Sequence, residues 1–595
     1  MLTVLDIEVF PNYVLFAFKG LVSGKKTVWE IKGEDSCLPR SEQAKMTLFL
    51  KNNETFGFNS LNYDWPIILY ALQPKKTVRQ IYTLSSRIVE KANLKGWMIR
   101  KQLGLKPLVG ANHFDIMEVA PGVGVSLKLY GARLHCQWLQ DLPYDSTSAL
   151  NEEQMGKVKE YCFNDLETTI TLYKKIEERV ELRRAMGSDD MQSLLSKSDA
   201  QISEAVIKHR LEISGSSENA IPKSVRYEAP EFLKFEKDQC KEVLKFVTTH
   251  EFRIDPNTGS PKLPPELSTR RIELGKSKYQ MGIGGLHSVE KKRTLEADGD
   301  TLLIDQDVAS YYPAIVLNLG LYPPALGEEF LEAYREIVEK RLRAKKAGNE
   351  VVDKSLKIVI NGAFGKFGSK YSAFYDPRLM LTVTLTGQLS LLMLIERLEI
   401  WGFAVVSANT DGIVTQVPQS RLEKFQEICG KWQKDTGFQL EGHQYRGLYS
   451  RDVNNYLAIG KDNKIKGKGV FVLGAIEKNP QGDIIYEAVI NLLTQGVPIR
   501  KTIGDCRDIR KFLLCRRVTG GAVFREQYLG KVVRWYYSRS SKDAIRYRKN
   551  GNKVPKTDDS TPLMTLHNQA LGDVDRERYI QEATELLDHI GYTSL

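Results

Sequence analysis

The stretch that decides the fold is TLLIDQDVASYYP, residues 301–313. Its apolar start predicts a buried strand that ends in two acids, Asp305 and Asp307, and the small residues after it predict a turn. A carboxylate beside a turn with exposed backbone N–H groups can cradle a metal-bound triphosphate. Asp307 lies at the end of the strand and is the favoured ligand, with Asp305 as the alternative.

Two amphipathic helical segments follow, FLEAYREIVEKRLRAKKAG and KSLKIVINGAFGKFGSK. Arg341 and Lys345 are four residues apart, as are Lys357 and Asn361, so each pair shares one face of its helix. Like charges on one face are unfavourable in isolation. Binding of a polyanionic phosphate would explain them, and the alternative is that both helices carry ordinary solvated faces.

Outward from these helices, the stretch SANTDGIV spans residues 407–414. The apolar run WGFAVV precedes it, and Ile413 and Val414 follow the turn, so the pattern predicts two short strands with Asp411 at the tip. Asn409 stands where a second acid of a metal-binding hairpin would lie. A working metal hairpin, a degenerate one and an ordinary polar turn remain open from this stretch alone.

Acidic side chains also recur in the first part of the chain. Asp6 and Glu8 are two residues apart in the strand-like LTVLDIEVF, so both face one side. Asp64 ends FGFNSLNYD, and Tyr161 and Asp165 share a helix face in KEYCFNDLETT. Carboxylate oxygens suit Mg²⁺ or Mn²⁺, and two such ions can promote phosphodiester hydrolysis. The alternative is a set of unconnected, solvent-facing acids.

The three later segments resemble the palm and finger motifs of family B DNA polymerases. DVASYYP is similar to motif A, D-x-x-S-L-Y-P; the run from Lys357 to Gly365 is similar to motif B; and NTDG falls where motif C, D-T-D-S, belongs. The resemblance implies that Asp307 and Asp411 are catalytic metal ligands. It also implies a set of residues that bind the incoming nucleotide: Ser310, Tyr312, Arg341, Lys345, Lys357 and Asn361.

The first part of the chain resembles the 3′–5′ proofreading exonucleases of the DEDDy type, through D-x-E, N-x-x-x-Y-D and Y-x-x-x-D in that order. The resemblance implies that Asp6, Glu8, Asp64 and Asp165 bind metal and that Tyr161 positions the attacking water. Two Mg²⁺ or Mn²⁺ ions are implied in each active site. The DNA-binding residues implied by the two resemblances are Asn59, Tyr63, Ser126, Leu127, Gly284, Gly285, Gly365, Tyr456 and Lys466.

Composition bounds the class of protein. The chain has 595 residues and a net charge of +11, and residues 500–556 hold seventeen Lys or Arg against four Asp or Glu. Aromatics interleave with these cations, which favours a nucleic-acid surface over a merely solvated one. Seven cysteines without a CxxC pair argue against a zinc site or a disulfide framework. No membrane span or signal peptide is predicted, and we expect a cytoplasmic location.

The whole chain thus resembles a compact family B DNA polymerase of bacteriophage type. The implied fold is multidomain, α/β and α+β, with an RNase H-like exonuclease domain before a right hand of palm, fingers and thumb. The implied ranges are 1–185 for the exonuclease, 186–326 for a linker and the palm with motif A, 327–368 for the fingers, 369–478 for the palm with motif C, and 479–595 for a basic thumb.

The spacing of the motifs indicates how synthesis begins. Residues 314–356 and 366–408 leave little room for the subdomains that protein-primed relatives insert there, so we expect a nucleic-acid primer and no terminal protein. The implied partners are primer-template DNA and dNTPs, with a phage clamp, helicase or single-strand-binding protein as further candidates, and the chain is expected to be a monomer. The alternatives are an exonuclease with an inactive polymerase half and a non-catalytic DNA-binding replication protein.

Overall fold

The computed structural model describes residues 1–91, 94–122, 124–187, 194–213, 219–282 and 284–592. The chain divides into two compact units that each combine several segments. Unit 1 comprises Met1–Ser198, Gly474–Ile484 and Asp505–Tyr579, and unit 2 comprises Asp199–Leu473, Ile485–Gly504 and Ile580–Leu595. Both contain helices and sheets, so the predicted multidomain mixture of α and β structure is confirmed. The RNase H-like and right-hand arrangements stay predictions.

The strands, in chain order, are β1 (Leu2–Phe10), β2 (Tyr13–Gly20), β3 (Lys26–Lys32), β4 (Glu54–Gly57), β5 (His113–Asp115), β6 (Ser224–Arg226), β7 (Glu251–Arg253), β8 (Ile272–Leu274), β9 (Ser277–Met281), β10 (Leu286–Ser288), β11 (Arg293–Glu296), β12 (Thr301–Val308), β13 (Ala404–Asn409), β14 (Gly412–Pro418), β15 (Leu440–Asp452), β16 (Asn455–Gly460), β17 (Ile465–Lys468), β18 (Leu514–Phe524), β19 (Gln527–Tyr537), β20 (Arg546–Tyr547) and β21 (Ser560–Pro562).

The α-helices are α1 (Arg40–Asn52), α2 (Asp64–Ala71), α3 (Val78–Glu90), α4 (Gly96–Gln102), α5 (Leu127–Arg133), α6 (Glu152–Met186), α7 (Asp199–Arg210), α8 (Asp238–Thr249), α9 (Pro265–Ser268), α10 (Tyr311–Asn318), α11 (Glu329–Lys346), α12 (Glu350–Phe367), α13 (Pro377–Ile400), α14 (Leu422–Thr436), α15 (Asp483–Gln495), α16 (Ile499–Asp505) and α17 (Arg576–Ile590). Short 3₁₀ helices cover Leu194–Ser196, Gln419–Arg421, Gly469–Phe471, Ile509–Phe512 and Asn568–Asp573.

The N-terminal sheet of unit 1 has the strand order β3-β2-β1-β4-β5, with β1 antiparallel to β2 and parallel to β4. Alternate residues of β1 serve two cores. Val4 and Phe10 pack with residues of α6, whereas Leu5 packs with residues of α1, α2 and α3. Asp6 and Glu8 fall in the same alternation as Val4 and Phe10, so β1 presents both carboxylates on the face that α6 covers.

A second sheet of unit 1, β20-β18-β19-β21, is built from the basic C-terminal segment. The sequence predicted a basic thumb over residues 479–595, and within this range residues 505–579 lie in the same compact unit as residues 1–198. Burial explains this grouping, because Cys515 and Val532 share an apolar core with Leu129 and Leu139. The five predicted ranges therefore differ from the compact units, and the functional names given to those ranges stay predictions.

Unit 2 is organised by a large sheet of order β17-β16-β15-β12-β14-β13-β10-β9-β8, with β11 paired to β15. Strand β12, the stretch on which the sequence analysis centred, lies between β14 and β15. Helix α13 is long and apolar enough to cross a membrane, but 89% of its most apolar window is buried within the protein. We assign it as the core helix of this unit.

Arg534 of β19, a buried cation, joins the C-terminal sheet to neighbouring segments of unit 1. Arg534 is fully buried, and its guanidinium donates to the carbonyl oxygens of Leu563 (2.8 Å), Cys136 (2.8 Å) and Met564 (3.3 Å). Burial lowers the pKa of Arg534 to about 10. The charge is thus held by backbone dipoles of two other segments of the unit.

Arg534→Met is expected to destabilise the protein by about 2–4 kcal/mol, because it removes the guanidinium hydrogen bonds of three carbonyl groups, of which that of Met564 keeps a further donor, the Leu139 N–H. The measurement is the free energy of unfolding from urea denaturation. Arg517→Met is the matched control, since Arg517 is exposed on the neighbouring β18, and it should change stability by less than about 0.5 kcal/mol. Equal effects of the two substitutions would show that the buried hydrogen bonds contribute little.

Candidate functional site

A cavity of about 600 Å³ in unit 2 collects most of the polymerase-type residues predicted from the sequence. The predicted residues that line it are Asp307, Ser310, Tyr312, Arg341, Lys345, Lys357, Asn361 and Asp411. They come from the end of β12, the start of α10, the facing helices α11 and α12, and the β13–β14 turn. The fold thus brings eight separated positions to one concave surface.

Strand pairing sets the two carboxylates of this cavity side by side. Asp307 is directly opposite Gly412 in the antiparallel pairing of β12 with β14. The Val308 N–H donates to the carbonyl oxygen of Asp411 at 2.7 Å, which fixes the turn against the end of β12. Partial desolvation and the charge of Asp307 raise the pKa of Asp411. The charge of Asp307 therefore raises the energetic cost of ionising Asp411, which a bound cation would relieve.

Gly412 leaves the space that the Asp307 carboxylate occupies. A Cβ at position 412 would lie 2.0 Å from Oδ1 of Asp307, far inside van der Waals contact. The sequence analysis noted glycine here where the resembled motif has serine. A residue with a Cβ at position 412 would therefore displace the Asp307 carboxylate from the orientation that it has here.

Asn409 stands where a second acid would be, and its side chain is hydrogen-bonded to residues that hold the hairpin in place. Its Nδ2 donates to the carbonyl oxygen of Val453 at 2.8 Å, and its Oδ1 accepts from the Thr410 hydroxyl at 3.3 Å. Thr410 adopts a left-handed φ of 63°, which closes the turn. The Asn409 side chain therefore shapes the hairpin, and a carboxylate would lack the donor that reaches Val453.

Asp305, the alternative ligand, is buried and already satisfied. It accepts hydrogen bonds from the Tyr445 hydroxyl and from Nζ of Lys466, the latter at 3.0 Å. Lys466 also lies 3.4 Å from Oδ2 of Asp307. Burial disfavours the ammonium, but the two carboxylates outweigh it and raise the pKa of Lys466. Lys466 was predicted to bind DNA, and the structure places it against the acidic pair.

The finger-type helices hold their cations through acids that the sequence analysis missed. Arg341 donates to Asp353 at 2.9 Å and to the Ser310 hydroxyl at 3.1 Å, which links α11 to α12 and to the turn after β12. Lys345 lies 3.5 Å from Glu441 of β15. Lys357 forms no ion pair within the described part of the chain. Its ammonium remains available at the cavity wall.

Tyr312, which was predicted to bind the incoming nucleotide, contacts two neighbouring residues. Tyr312 donates through its hydroxyl to the carbonyl oxygen of Gly284 and packs on Phe364, with ring centroids 4.4 Å apart. Gly285 approaches the hairpin tip so closely that a Cβ would lie 2.8 Å from the Thr410 side chain. Gly284 and Gly285, two of the three glycines of the GIGGLHS stretch, therefore each lie against a residue that lines the cavity, and their role in binding DNA stays a prediction.

All five predicted DNA-binding residues of unit 2 lie outside the residues that line the cavity: Gly284, Gly285, Gly365, Tyr456 and Lys466. Tyr456 lies on β16 directly opposite Lys468 of β17. Lys468 is a further cation that the sequence analysis missed. Burial lowers the pKa of Lys468, and the charge of Asp411 opposes that shift. A Cβ at Gly365 would meet no other residue, so packing within the chain does not require glycine there.

The nuclease-type residues also converge, at the face of β1 that α6 covers in unit 1. Ligand atoms of Asp6, Glu8 and the buried Cys162 lie within 4.8 Å of one another. The Cys162 thiol donates to Oδ2 of Asp6 at 3.6 Å. Tyr161 precedes Cys162 on α6, and Asp165 follows one turn later on the side of Tyr161. The sequence predicted Asp6 and Glu8 on one side of a strand and Tyr161 and Asp165 on one face of a helix, and the structure has a strand and a helix at these positions. Their roles as metal ligands and as the water-positioning residue stay predictions.

Asp64 completes the acidic cluster from the first residue of α2. It is 3% exposed, and no donor in the described ranges lies within hydrogen-bond distance of its buried Oδ1. Burial, with a further contribution from Asp115, raises the pKa of Asp64 to about 8. A buried carboxylate oxygen without a donor is the kind of ligand that a cation would satisfy.

The remaining acids of the cluster carry the same electrostatic signature. Burial, then the charge of Asp64, raises the pKa of Asp6 well above its ordinary value. Burial and the charge of Asp165 do the same for Glu8. Burial raises the pKa of Asp165 to about 6, although Lys128 and the Tyr161 hydroxyl lower it in part. Hard oxygen donors crowded in this way fit Mg²⁺ or Mn²⁺.

The loop before Asp64 is held by an acid that sequence reasoning missed. Asp115, at the end of β5, accepts from the backbone N–H groups of Asn59 (2.9 Å) and Leu61 (3.0 Å). Asn59 has a left-handed φ of 60°. The Tyr63 hydroxyl is hydrogen-bonded to Ser85 at 2.7 Å. Asp115 could not be found from sequence, because only the parallel pairing of β4 with β5 brings it beneath this loop.

The last predicted DNA contact, the pair Ser126 and Leu127, begins helix α5. The Ser126 hydroxyl accepts from the backbone N–H of Leu129 at 3.3 Å, so it caps the helix. Leu127 packs at the edge of the core that includes α6. The next residue, Lys128, places Nζ 5.1 Å from the centroid of the Tyr161 ring. Lys128 is the principal residue of this site that the sequence analysis missed.

Comparisons with known proteins point to DNA polymerases over part of the chain. DNA polymerase 1 of Pyrococcus abyssi is 22% identical over 232 residues, covering 32% of this chain and 30% of that protein. DNA polymerase of a Thermococcus species is 23% identical over 229 residues, covering 31% and 29%. DNA polymerase II of Escherichia coli is 29% identical over 136 residues, covering 19% and 17%.

The matched segments thus span less than a third of the length of these curated relatives. No protein-family model matches the chain. Among solved structures, the family B DNA polymerase from the archaeon Pyrobaculum calidifontis aligns with a TM-score of 0.41 and 13% identity, covering all of this chain and 78% of that one. The chain is therefore related in sequence to archaeal DNA polymerases over about a third of its length, and to DNA polymerase II of Escherichia coli over about a fifth.

Proposed function

We propose that this chain is a family B DNA-templated DNA polymerase that extends a nucleic-acid primer with dNTPs and proofreads with a 3′–5′ exonuclease. The observation that carries the proposal is the cavity of unit 2, where Asp307 and Asp411 face Arg341, Lys345 and Lys357. Carboxylates on one side suit divalent cations, and cations on the other suit a triphosphate. The sequence relationship to DNA polymerases supports the same conclusion.

The residues of the cavity would divide the work of nucleotide transfer. Two divalent ions, when bound by Asp307 and Asp411, would supply activation of the primer hydroxyl and neutralisation of phosphate charge. Arg341 and Lys357 would hold the triphosphate, and Asn361 would lie beside the forming base pair. Their side chains orient the nucleotide, because Arg341 is itself fixed by Asp353. The ring of Tyr312 would exclude a ribose 2′-hydroxyl.

The acidic cluster of unit 1 would hydrolyse mispaired 3′ ends. Asp6, Glu8, Asp64 and Asp165 would hold two Mg²⁺ or Mn²⁺ ions, which supply the activated water and stabilise the leaving oxygen. The hydroxyl of Tyr161, one helical turn from Asp165, would orient that water. The buried Oδ1 of Asp64 supports this assignment, because a cation would supply the partner that this oxygen lacks among the described residues.

The wider biological role extends this proposal. Strand β12 continues through α10 to α11 and α12 without an inserted subdomain, which supports a nucleic-acid primer over a terminal protein. We assign the chain to phage-type DNA replication in the host cytoplasm, acting as a monomer on primer-template DNA, with a clamp, helicase or single-strand-binding protein as partner. We also propose the five domain ranges predicted from the sequence, from an exonuclease at 1–185 to a basic thumb at 479–595.

A second candidate is a 3′–5′ exonuclease whose polymerase half is inactive. The observation that favours it is the position of Lys466, whose ammonium lies 3.4 Å from Oδ2 of Asp307 and thus competes with a metal for that ligand. Primer extension and primer degradation, measured on one labelled substrate, separate the two candidates. Shortening without any extension at saturating dNTP would favour the second.

Asp307→Asn and Asp411→Asn should each lower primer extension by at least about 10³-fold, because a metal ligand loses its charge, and should leave 3′ degradation intact. The double substitution Asp6→Ala with Glu8→Ala should do the reverse. Extension and degradation by the same preparations provide the measurement, and each variant is the control for the other. Normal extension by either palm variant would refute the metal assignment.

Gly412→Ala should lower extension by about 100-fold or more, since its Cβ would displace the Asp307 carboxylate. Gly430→Ala is the matched control. Gly430 lies within α14 of the same unit, and a Cβ there would meet no other residue. That control should extend primers at the normal rate. An active Gly412→Ala enzyme would mean that the observed orientation of Asp307 is not the one used in synthesis.

Asn409→Asp should change the rate of extension by less than about threefold and should not raise it, because the side chain points to the Val453 carbonyl and contributes to the turn. Steady-state kinetics with Mg²⁺ provide the measurement, and Asn454→Asp, on the neighbouring β15–β16 turn, controls for added charge. A gain of tenfold or more would show that the missing acid limits metal binding.

A further inference from the structure

Asp141 lies between the nuclease-type site and the C-terminal sheet, and no role was assigned to it from the sequence. Its Oδ1 accepts from Nζ of Lys128 at 3.1 Å. Its Oδ2 accepts from the hydroxyl of Tyr528 at 3.0 Å and from the backbone N–H of Lys531 at 3.1 Å. Lys128 belongs to α5, and the other two donors belong to β19, so one carboxylate joins two distant segments of unit 1.

The C-terminal sheet is shaped to receive this carboxylate. Gly530 has a positive φ of 108°, and a Cβ there would lie 3.2 Å from Cγ of Asp141. A side chain at that position would therefore be strained and would crowd the acid. The Tyr528 ring is in turn covered by the Arg548 guanidinium, 5.1 Å from its centroid. Tyr528 and Lys531, two of the donors to Asp141, thus lie on the β18–β19 hairpin, whose geometry is itself restrained.

The segment that leads to Asp141 is built into the same sheet by backbone hydrogen bonds. The Leu139 N–H donates to Met564 at 2.9 Å, and the Leu566 N–H donates to Gln137 at 2.8 Å. Leu139 also shares the apolar core that contains residues of β18 and β19. The segment before Asp141 and the Asp141 carboxylate itself are therefore both bonded to the C-terminal sheet. The position of this sheet thus sets the position of the carboxylate and of Lys128, which the carboxylate binds.

Its partner Lys128 faces the nuclease-type cluster. The ammonium lies over the Tyr161 ring, 5.1 Å from the centroid, and its charge lowers the pKa of Asp165. The long lysine side chain has several rotamers when free, and the ion pair selects one of them. A fixed cation beside four carboxylates can contact a phosphate oxygen of a single strand that enters the site.

We infer that Asp141, held by β19, positions Lys128 over Tyr161, so that the C-terminal sheet is a working part of the nuclease-type site. The inference rests on the proposed exonuclease function for its catalytic consequence. Asp141 is a positioning residue, since its contacts run to Lys128 and to β19. The basic C-terminal segment would then serve degradation through Tyr528 and Lys531 in addition to any binding of duplex DNA.

The test compares Asp141→Asn with Asp573→Asn. Asp573 is a matched control, because it also accepts from a tyrosine hydroxyl, that of Tyr536 at 3.2 Å, and from a backbone N–H, that of Ser540 at 3.0 Å. It lies in the same unit but binds no lysine of the nuclease-type site. Melting temperatures of the two variants measure any general loss of stability, and Asp141→Glu tests for rescue.

Two readouts are used on the full-length protein. One is the removal of 3′ nucleotides from a single-stranded oligodeoxynucleotide with Mg²⁺, for which Asp141→Asn should lower kcat about tenfold and change KM less than about twofold. The other is acetylation of Lys128 by acetic anhydride, followed by mass spectrometry, with Lys157 as the internal reference. Loss of the ion pair should speed Lys128 acetylation by about fivefold or more, and Asp573→Asn should change neither readout.

Asp141→Glu should restore at least part of the kcat, because it retains the charge. Unchanged Lys128 acetylation in Asp141→Asn would overturn the inference, as would equal losses of kcat in Asp141→Asn and Asp573→Asn. A wild-type protein without nuclease activity would instead overturn the proposed exonuclease function, while the acetylation readout would still decide the positioning of Lys128. If Asp141→Asn does not fold, Tyr528→Phe, which removes a single hydrogen bond, should produce a smaller change in the same direction in both readouts.

Discussion

The antiparallel pairing of β12 with β14 is the constraint on which the polymerase-type site depends. It places Asp307 opposite Gly412 and joins Val308 to the carbonyl of Asp411, so that two acids far apart in sequence end at one edge of the sheet. A register slip of one residue would turn alternate side chains to the other face and separate the pair. The glycine is part of the same constraint, because only the absence of a Cβ admits the Asp307 carboxylate.

Local periodicity was enough to predict which side chains of one segment share a face, whereas the grouping of these segments into two sites came from the family resemblances. The alternation of a strand placed Asp6 and Glu8 on one side, and the helical repeat placed Tyr161 and Asp165 on one face, as the structure has them. The residues that were missed are paired through distant strands or helices. Glu441 comes opposite Asp307 only because β12 pairs with β15, and Asp353 reaches Arg341 only because α11 packs on α12. No spacing within one segment encodes such contacts.

The C-terminal segment shows a second limit of sequence reasoning. Its excess of Lys and Arg predicted a basic surface, but composition does not specify which core a sheet joins. Leu129 and Leu139 share a core with Cys515 and Val532, and this burial groups the segment with residues 1–198. Some of these cations are buried and do not contribute to the surface. Arg534, for example, is fully buried and donates to three carbonyl groups. A count of cations therefore overstates the charge that the surface presents.

The two sites differ most in how their acids are compensated. Lys466 lies 3.0 Å from Asp305 and 3.4 Å from Asp307, and the charge of Asp411 opposes the lowering of the Lys468 pKa, so two cations face three carboxylates. In the nuclease-type cluster four carboxylates face Lys128, whose own charge is shared with Asp141. The cluster thus retains a larger uncompensated charge in a drier setting, and its ionised form depends more strongly on bound cations. Because of this imbalance, the position of Lys128 is important for the cluster. Lys128 is the one cation that the described residues supply to it, and Asp141 is the residue that we infer to position Lys128.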